Sequence, residues 1–492
     1  MSQLNRGDEQ RTDKFHIIVN NVICIDNDKF NKYKLDKSEN LPRVAKVRRI
    51  FLVFLTLFTL HLLIACGGSS GGSLPTLTPT FGTPTSTHDG FTVQITNYDA
   101  SYTYAGSASA SGTVTVSGTG FVTVSGVAAN TSSTATITTT KTGATNGSAS
   151  VTATSLQSRV TYVVNRNDNS VSVIATTTNT VTATIPVGNN PHAVAVTPDG
   201  NTVYVANTND NTVSVIATAT NTVTSTISVG NSPAGFAVSP DGSKVYVVNL
   251  LDNSISVIAT ATNTVVATIL VGQYPSLVLA VTPDSSKVYV ANSNDNTVSV
   301  ITTATNTVTT IPVGQYPYAV AVTPDGSKVY VANQDDNSVS VITTATNTVT
   351  STISVGHTPY ALAVTPDSNQ VYVVNQDDNT VSVIPTATNT VTSTISVGHT
   401  PYALAVTPDS NQVYVVNNQD GTASVINTAT NTVTSTITVG SNPSLVAAST
   451  DGSNVYVVNI LSNSVSVIGT GTNLVTSTIP VGNFPLDVVI SP

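Results

Sequence analysis

From about residue 90 to its end, this chain is a succession of short apolar and polar alternations parted by Gly, Pro, Asn and Asp. Alternation with period two puts successive side chains on opposite faces of an extended backbone, so each run predicts a strand and each parting a turn. Four kinds of run recur in a fixed order. Ala193-Val194-Ala195-Val196 alternates small with branched residues, Val203-Tyr204-Val205-Ala206 is continuously apolar, Val213-Ser214-Val215-Ile216 is intermediate, and Val223 to Val229 alternates strictly. The series predicts a four-stranded sheet with a narrow inner strand, a second strand covered on both faces and an outer strand with one wet face. The partings are chemically explicit. Pro198 and Gly200 in Thr197-Pro198-Asp199-Gly200, Asn211 after Asp210, and Asn221 after Thr220 supply the residues that tight reversals require, so each link is a hairpin.

The sheet repeats along the chain. Its tyrosine stands at 162, 204, 246, 289, 330, 372, 414 and 456, with spacings of 42, 42, 43, 41, 42, 42 and 42 residues. A period near 40 built from short strands predicts a closed radial array. Tyr204-Val205-Ala206-Asn207, Asp210-Asn211-Thr212-Val213-Ser214-Val215-Ile216, Thr218-Ala219-Thr220-Asn221 and Ile227-Ser228-Val229-Gly230 resemble the YVTN-type β-propeller repeat of surface-layer and other exported proteins. The resemblance covers about residues 158 to 492. It departs from the usual repeat after Val-Ile, where an acidic residue gives way to Ala217, Thr302 or Pro385.

The chain ends predict how the ring shuts. The first unit starts at its second strand, Thr161 to Asn165, and Pro485 to Ile490 supply one inner strand with nothing after it. We therefore expect an all-β fold with an eight-bladed propeller over 156–492, its first blade completed by the C-terminal strand; seven blades and a stray repeat is the alternative. Ser276 to Ala280 carries one residue more than its counterparts and Thr309 to Ile311 one fewer. The first should be absorbed as a bulge and the second at the rim, because an uncorrected slip turns every later side chain to the wrong face.

Upstream, Arg43, Lys46, Arg48 and Arg49 precede an apolar run from Ile50 to Ala65. That run is shorter than the roughly 20 residues a spanning helix needs and reads as a signal-peptide core. Leu63-Ile64-Ala65-Cys66 resembles the lipobox of bacterial lipoproteins, which implies cleavage before Cys66, its acylation and membrane attachment through it. An ordinary signal or transmembrane anchor with an incidental Cys is the alternative. Residues 44–65 are thus expected to be a lipoprotein signal peptide, and 1–43 an upstream segment with translation starting near Val44; a long cytoplasmic extension is the other reading. Helices are expected only within the first 65 residues. Residues 66–88, rich in Gly, Ser, Pro and Thr, read as a linker. Residues 89–155 hold short alternating runs such as Phe91 to Tyr98 and Phe121 to Val124, and resemble small immunoglobulin-like sandwiches of bacterial surface proteins.

Composition narrows the function. The full sequence is 9% charged and lacks Trp, in keeping with an exported all-β protein. From residue 66 onward there are 6 Lys and Arg against 19 Asp and no Glu, a formal charge of −13. No basic face for nucleic acid is available. Cys24 and Cys66 are the only cysteines, so no disulfide is expected after processing.

Candidate chemistry must come from departures from the repeat. The Val-Gly-x-x-Pro loops and the hairpins carrying Asp168, Asp210, Asp252, Asp295, Asp336, Asp378 and Asp420 should share one channel mouth. Those acids lack the spaced Gly and bidentate Glu of a calcium loop, and turn capping explains them without a metal. Tyr318, Tyr360, Tyr402, His357 and His399, joined by Asp335 and Asp377, should crowd one arc. Amphipathic rings beside amide, imidazole and carboxylate groups suit a glycan or peptide. Against this, residues 357 to 375 recur identically as 399 to 417, so recent duplication explains the same arc. The expected function is a lipid-anchored surface or envelope protein whose propeller is a binding or structural platform. No cofactor or catalytic residue is assigned, since no His has an acidic companion of its own. A lactonase-like hydrolase or metal-binding protein at the channel mouth is the alternative.

Overall fold

The computed structural model describes residues 76–87, 89–128, 131–155 and 159–492. The leader, Cys66 and the Gly/Ser tether lie outside the described residues. Among the described residues every regular element is a strand.

Eight four-stranded antiparallel sheets, here blades 1 to 8, account for residues 160–490. Blade 2 is typical, with Pro191–Val196, Thr202–Asn207, Thr212–Ala217 and Thr222–Ser228 in order from the channel to the rim. Inner strands of successive blades contact one another in turn, and Pro485–Ile490 touches both Pro191–Val196 and Pro443–Ala448, so the ring is closed. Blade 1 takes that C-terminal strand beside Val160–Asn165, pairing Val488 with Val163 and Val489 with Tyr162.

Packing between blades explains the polarity gradient. In one cluster Tyr162 and Val164 of blade 1 meet Val203, Val205 and Ile216 of blade 2. The repeat tyrosines are wholly buried. Tyr204 donates its hydroxyl to Asn263 Oδ1 at 2.6 Å, and Tyr372 donates to Asn431 Oδ1 at 2.7 Å, so each reaches the outer hairpin of the next blade. Burial pushes the Tyr204 phenol up to about 12.

Both irregularities in the period are resolved locally. Blade 4 pairs Pro275 with Asn292 and resumes only at Leu279 with Val290, so Ser276, Leu277 and Val278 take up the extra residue. The outer strands of blades 1, 2, 3, 5, 7 and 8 carry a bulge, as between Val215 and Ile216, whereas blade 4 pairs Thr297–Thr302 with Thr307–Pro312 without one. The missing residue simply removes a rim bulge.

Before the ring, two sheets share a core of Phe91, Val93, Ile95, Val122, Val124, Ala135 and Ile137. Here the expected linker is corrected at its end: Thr85–Thr87 pairs with Gly90–Gln94, and Phe81 bridges Ile95. Threonine favours strands, and the free edge beside Phe91 and Val93 gives these residues backbone partners.

Candidate functional site

At the end of the ring holding the Val-Gly-x-x-Pro loops, here the mouth, each hairpin between second and third strands ties two loops. Asp210 Oδ2 accepts the Asn189 N–H at 2.7 Å from the loop entering blade 2, and Asn211 Oδ1 accepts the Ser232 N–H at 2.9 Å from the loop leaving it. Fully buried Asn207 accepts the Gly188 N–H at 3.1 Å. The two Asn189 hydrogen bonds hold the Asp210 carboxyl below its ordinary value. The recurrent Asp is thus a clamp between loops 21 residues apart rather than a cap on its own turn. Among the described residues no three His, Cys, Asp or Glu gather in a way that could hold a metal ion.

The clamp forces an unusual backbone. The residue before proline in every such loop has positive φ, including Tyr274 at 55°, Tyr316 at 51°, Thr358 at 53° and Phe484 at 56°. Bulky and branched residues avoid this region, and a residue before proline ordinarily prefers extended backbone. The captured N–H, such as Thr358 N on Asn337 Oδ1 at 3.0 Å, over-determines the conformation.

Tyr318, Tyr360 and Tyr402 follow their prolines on the inner strands of blades 5, 6 and 7 and form one stack. Ring centroids are 4.7 and 4.6 Å apart, and the hydroxyls form a chain at 3.1 and 2.7 Å. Successive ring planes tilt by 36° and 41°, so the run presents ring edges and hydroxyls together. Burial, then the neighbouring phenols, drive the Tyr360 hydroxyl well above its ordinary pKa.

His357 and His399 stand in the loops entering blades 6 and 7, each with an acid of its own. His357 Nδ1 lies 2.7 Å from Asp378 Oδ1, and His399 Nδ1 lies 2.9 Å from Asp420 Oδ1. This corrects the expectation that no His has an acidic companion. Each imidazole takes the role of Asn189, whose Nδ2 donates to Asp210 Oδ1 at 2.9 Å. The hydrogen bond to Asp378, more than its charge, raises the His357 pKa. Asp377 accepts from Thr358 Oγ1 at 2.6 Å. Asp335 lies instead beside Tyr316, whose phenol is raised by burial first and then by Tyr274 and Asp335. The expected arc therefore divides into a tyrosine stack, two His–Asp clamps and an aromatic pair, Tyr274 and Tyr316. That pair was legible as Tyr where other blades place Asn, Ser, Thr or, at 484, Phe before proline.

Across the ring from Tyr360, His192 occupies the equivalent position in blade 2, with Nδ1 3.0 Å from the Ala234 carbonyl. Burial lowers its pKa, with nearby Arg166 adding to the effect. The neutral ring thus donates from Nδ1 and keeps Nε2 as an acceptor.

A YNCE-like beta-propeller family model matches residues 121–244, 269–370 and 315–412, together more than half of the chain. The chain belongs to the YNCE-like β-propeller family. Within this family frame the mouth is an end where the residues flanking each proline vary from blade to blade. Solved structures similar to this YNCE-like chain include hydrazine synthase of Kuenenia stuttgartiensis, at 23% identity and a TM-score of 0.48, covering 57% of this chain and 95% of that one. Dihydro-heme d1 dehydrogenase NirN in complex with DHE matches at 16% identity and a TM-score of 0.60, covering 67% and 74%. A functionally unknown protein from Desulfotomaculum acetoxidans matches at 17% identity and a TM-score of 0.49, covering 67% and 98%. At such identities the likeness is one of fold and carries no activity across. No curated protein matches the sequence.

Proposed function

We propose that this protein is carried outside the cytoplasm on a lipidated Cys66 and that its propeller mouth is a binding platform for a glycan, peptide or envelope partner. The observation that carries the reading is the stack of Tyr318, Tyr360 and Tyr402, which faces the channel where other blades have Ala234, Ser276 and Ser444. Small residues suffice for the fold at that position, so three adjacent tyrosines concentrate hydroxyls and ring edges beyond what packing needs. The anchor rests on the basic flank, apolar run and Cys66 read from the sequence.

The test is binding of the propeller to glycan panels and envelope extracts, compared with a variant carrying Tyr318→Ala, Tyr360→Ala and Tyr402→Ser. Loss of binding with an unchanged melting curve supports the platform; undiminished binding sinks it. Mass spectrometry of the membrane form should find Cys66 diacylated, and an unmodified thiol there refutes the anchor. A second reading, a propeller hydrolase, is favoured by the two His–Asp pairs alone. It requires lactone or ester turnover that His357→Asn and His399→Asn abolish.

A further inference from the structure

Among the described residues eight large apolar side chains stand exposed, and five fall between residues 251 and 278. Leu251 is 73% exposed, Val266 55%, Leu270 75%, Tyr274 44% and Val278 45%. Three are drawn together by one residue. Asn253, in the hairpin that holds Leu251, accepts the Val271 N–H on its carbonyl at 2.9 Å and the Tyr274 N–H on Oδ1 at 2.8 Å. Leu270 precedes Val271 and pairs with Ser254. Leu251, Leu270 and Tyr274 therefore flank a single knot at the mouth end of blade 3. Packing does not demand them, because blade 2 places Asn209, Ser228 and Ser232 at the equivalent positions and builds the same sheet. Blade 8 repeats part of the pattern with Leu461 and Phe484, but Pro480 stands there in place of Leu270. Contiguous apolar exposure of this kind on a surface that most blades keep polar marks an interaction surface.

Charge selects the partner. Asp252 clamps the loop entering blade 3 and Asp295 the loop that carries Tyr274, each 2.6 Å from an N–H group, those of Asn231 and Gln273. Around the mouth stand Asp168, Asp210, Asp252, Asp295, Asp335, Asp336, Asp377, Asp378 and Asp420, with Arg166 as the one Lys or Arg there among the described residues of the ring. The remaining cations of the ring are at its other end and are engaged there. Arg159 pairs with Asp451 at 2.5 Å, Lys244 donates to the Thr303 carbonyl at 2.7 Å, and Lys287 and Lys328 donate to the Thr344 and Thr386 carbonyls. A second copy of this chain would bring acid against acid at the mouth, and the other end carries Asp199, Asp241, Asp284, Asp325, Asp367, Asp409 and Asp451.

We propose that the mouth end of blade 3, centred on Leu251, Leu270 and Tyr274, docks a protein segment that is both apolar and basic. Apolar side chains of the partner cover the two leucines, while its Lys or Arg groups meet the surrounding carboxylates and the Tyr274 ring. This surface is separate from the tyrosine stack of blades 5 to 7, and the two proposals stand or fall independently.

The probe is a short labelled peptide of alternating leucine and lysine, with counterparts carrying glutamine or glutamate for lysine, titrated with the propeller by fluorescence polarisation. The lysine peptide should bind best and weaken as salt rises. A variant with Leu251→Asn, Leu270→Ser and Tyr274→Asn keeps every carboxylate and draws on residue types other blades use, so it should fold normally. It should bind the lysine peptide roughly tenfold more weakly or worse. Equal affinity for wild type and variant, equal or better binding of the glutamate peptide, or no binding at all overturns the assignment. So does a dimer in sedimentation that this variant dissociates. Leu474→Thr, at an exposed leucine of blade 8 where blade 3 has Thr264, should leave the peptide affinity unchanged; a loss there shows that the peptide reads exposed leucine anywhere on the ring and also overturns it.

Discussion

His357 shows how one substitution adds chemistry to a structural position. It satisfies the same carboxylate geometry as Asn189, but its ring titrates, and Asp378 raises its pKa. The sign follows from the direction of the shift. The His–Asp attraction is fully present below the unfolded histidine value of about 6.5 and is lost as pH rises through the raised folded value. In a proton NMR titration His357 should have a midpoint above an ordinary histidine, and Asp378→Asn should bring it down. A midpoint unmoved by that change would show that the clamp does not polarise the ring. The tyrosine arc was legible because Tyr318, Tyr360 and Tyr402 break the repeat at one register position. The acid behind each His was not, because Asp378 is one of seven look-alike residues whose orientation depends on a loop 21 residues away.

Loops, rather than strands, carry the specific interactions of each blade. Val-Gly-x-x-Pro needs its glycine for close approach: a Cβ on Gly356 would lie 2.5 Å from Asp378 Oδ2 and 2.7 Å from Asn375 Cγ. Gly356→Ala should therefore displace the clamp and cost about 1–3 kcal/mol, with the loss of carboxylate bonding as the main component. Chemical denaturation checks this, and a variant as stable as wild type would mean that the loop yields freely. Strand order, hairpin turns and the positions of both period defects were readable from alternation and turn residues. The left-handed backbone before each proline was not, since local preference points to extended chain; in seven of the eight loops an Asn side chain of the preceding blade captures the N–H and overrides it, whereas Asn442 takes the same backbone opposite Gly421. The expected linker failed at 81 to 87 for a related reason: Thr-rich chain is indifferent until a neighbouring edge pairs with it.

Closure of the whole ring places a titratable group in its joint. Asp487 replaces the Ala or Gly of most other inner strands, such as Ala193, and its Oδ2 accepts the Val194 N–H of blade 2 at 2.8 Å. Desolvation pushes its carboxyl up to about 6, partly offset by the Val194 and Val488 N–H groups. Its folded pKa is above the unfolded value of about 3.9, so the folded state holds the proton longer and stability falls as pH rises between those values. The loss is on the order of 2 kcal/mol, allowing for partial exposure to channel water. Asp168, Asp210, Asp378 and Asp420, whose carboxyls are lowered by the loop N–H groups they accept, act oppositely and in a lower window, stabilising the fold as pH rises through their folded values toward 4. Asp487→Asn should keep an acceptor for Val194, flatten the decline between about pH 4 and 6, and raise the melting temperature at neutral pH. A decline as steep as wild type in the variant would assign it to another group. By itself the sequence determined the repeat, the strand types, the hairpins and the terminal strand that shuts blade 1, because alternation and turn chemistry are local and are written eight times. Only the tertiary structure decided which acids clamp which loops, which tyrosines stack and where the leucines of blade 3 emerge. Those relations join residues of different blades, and their geometry exists only once the ring has closed.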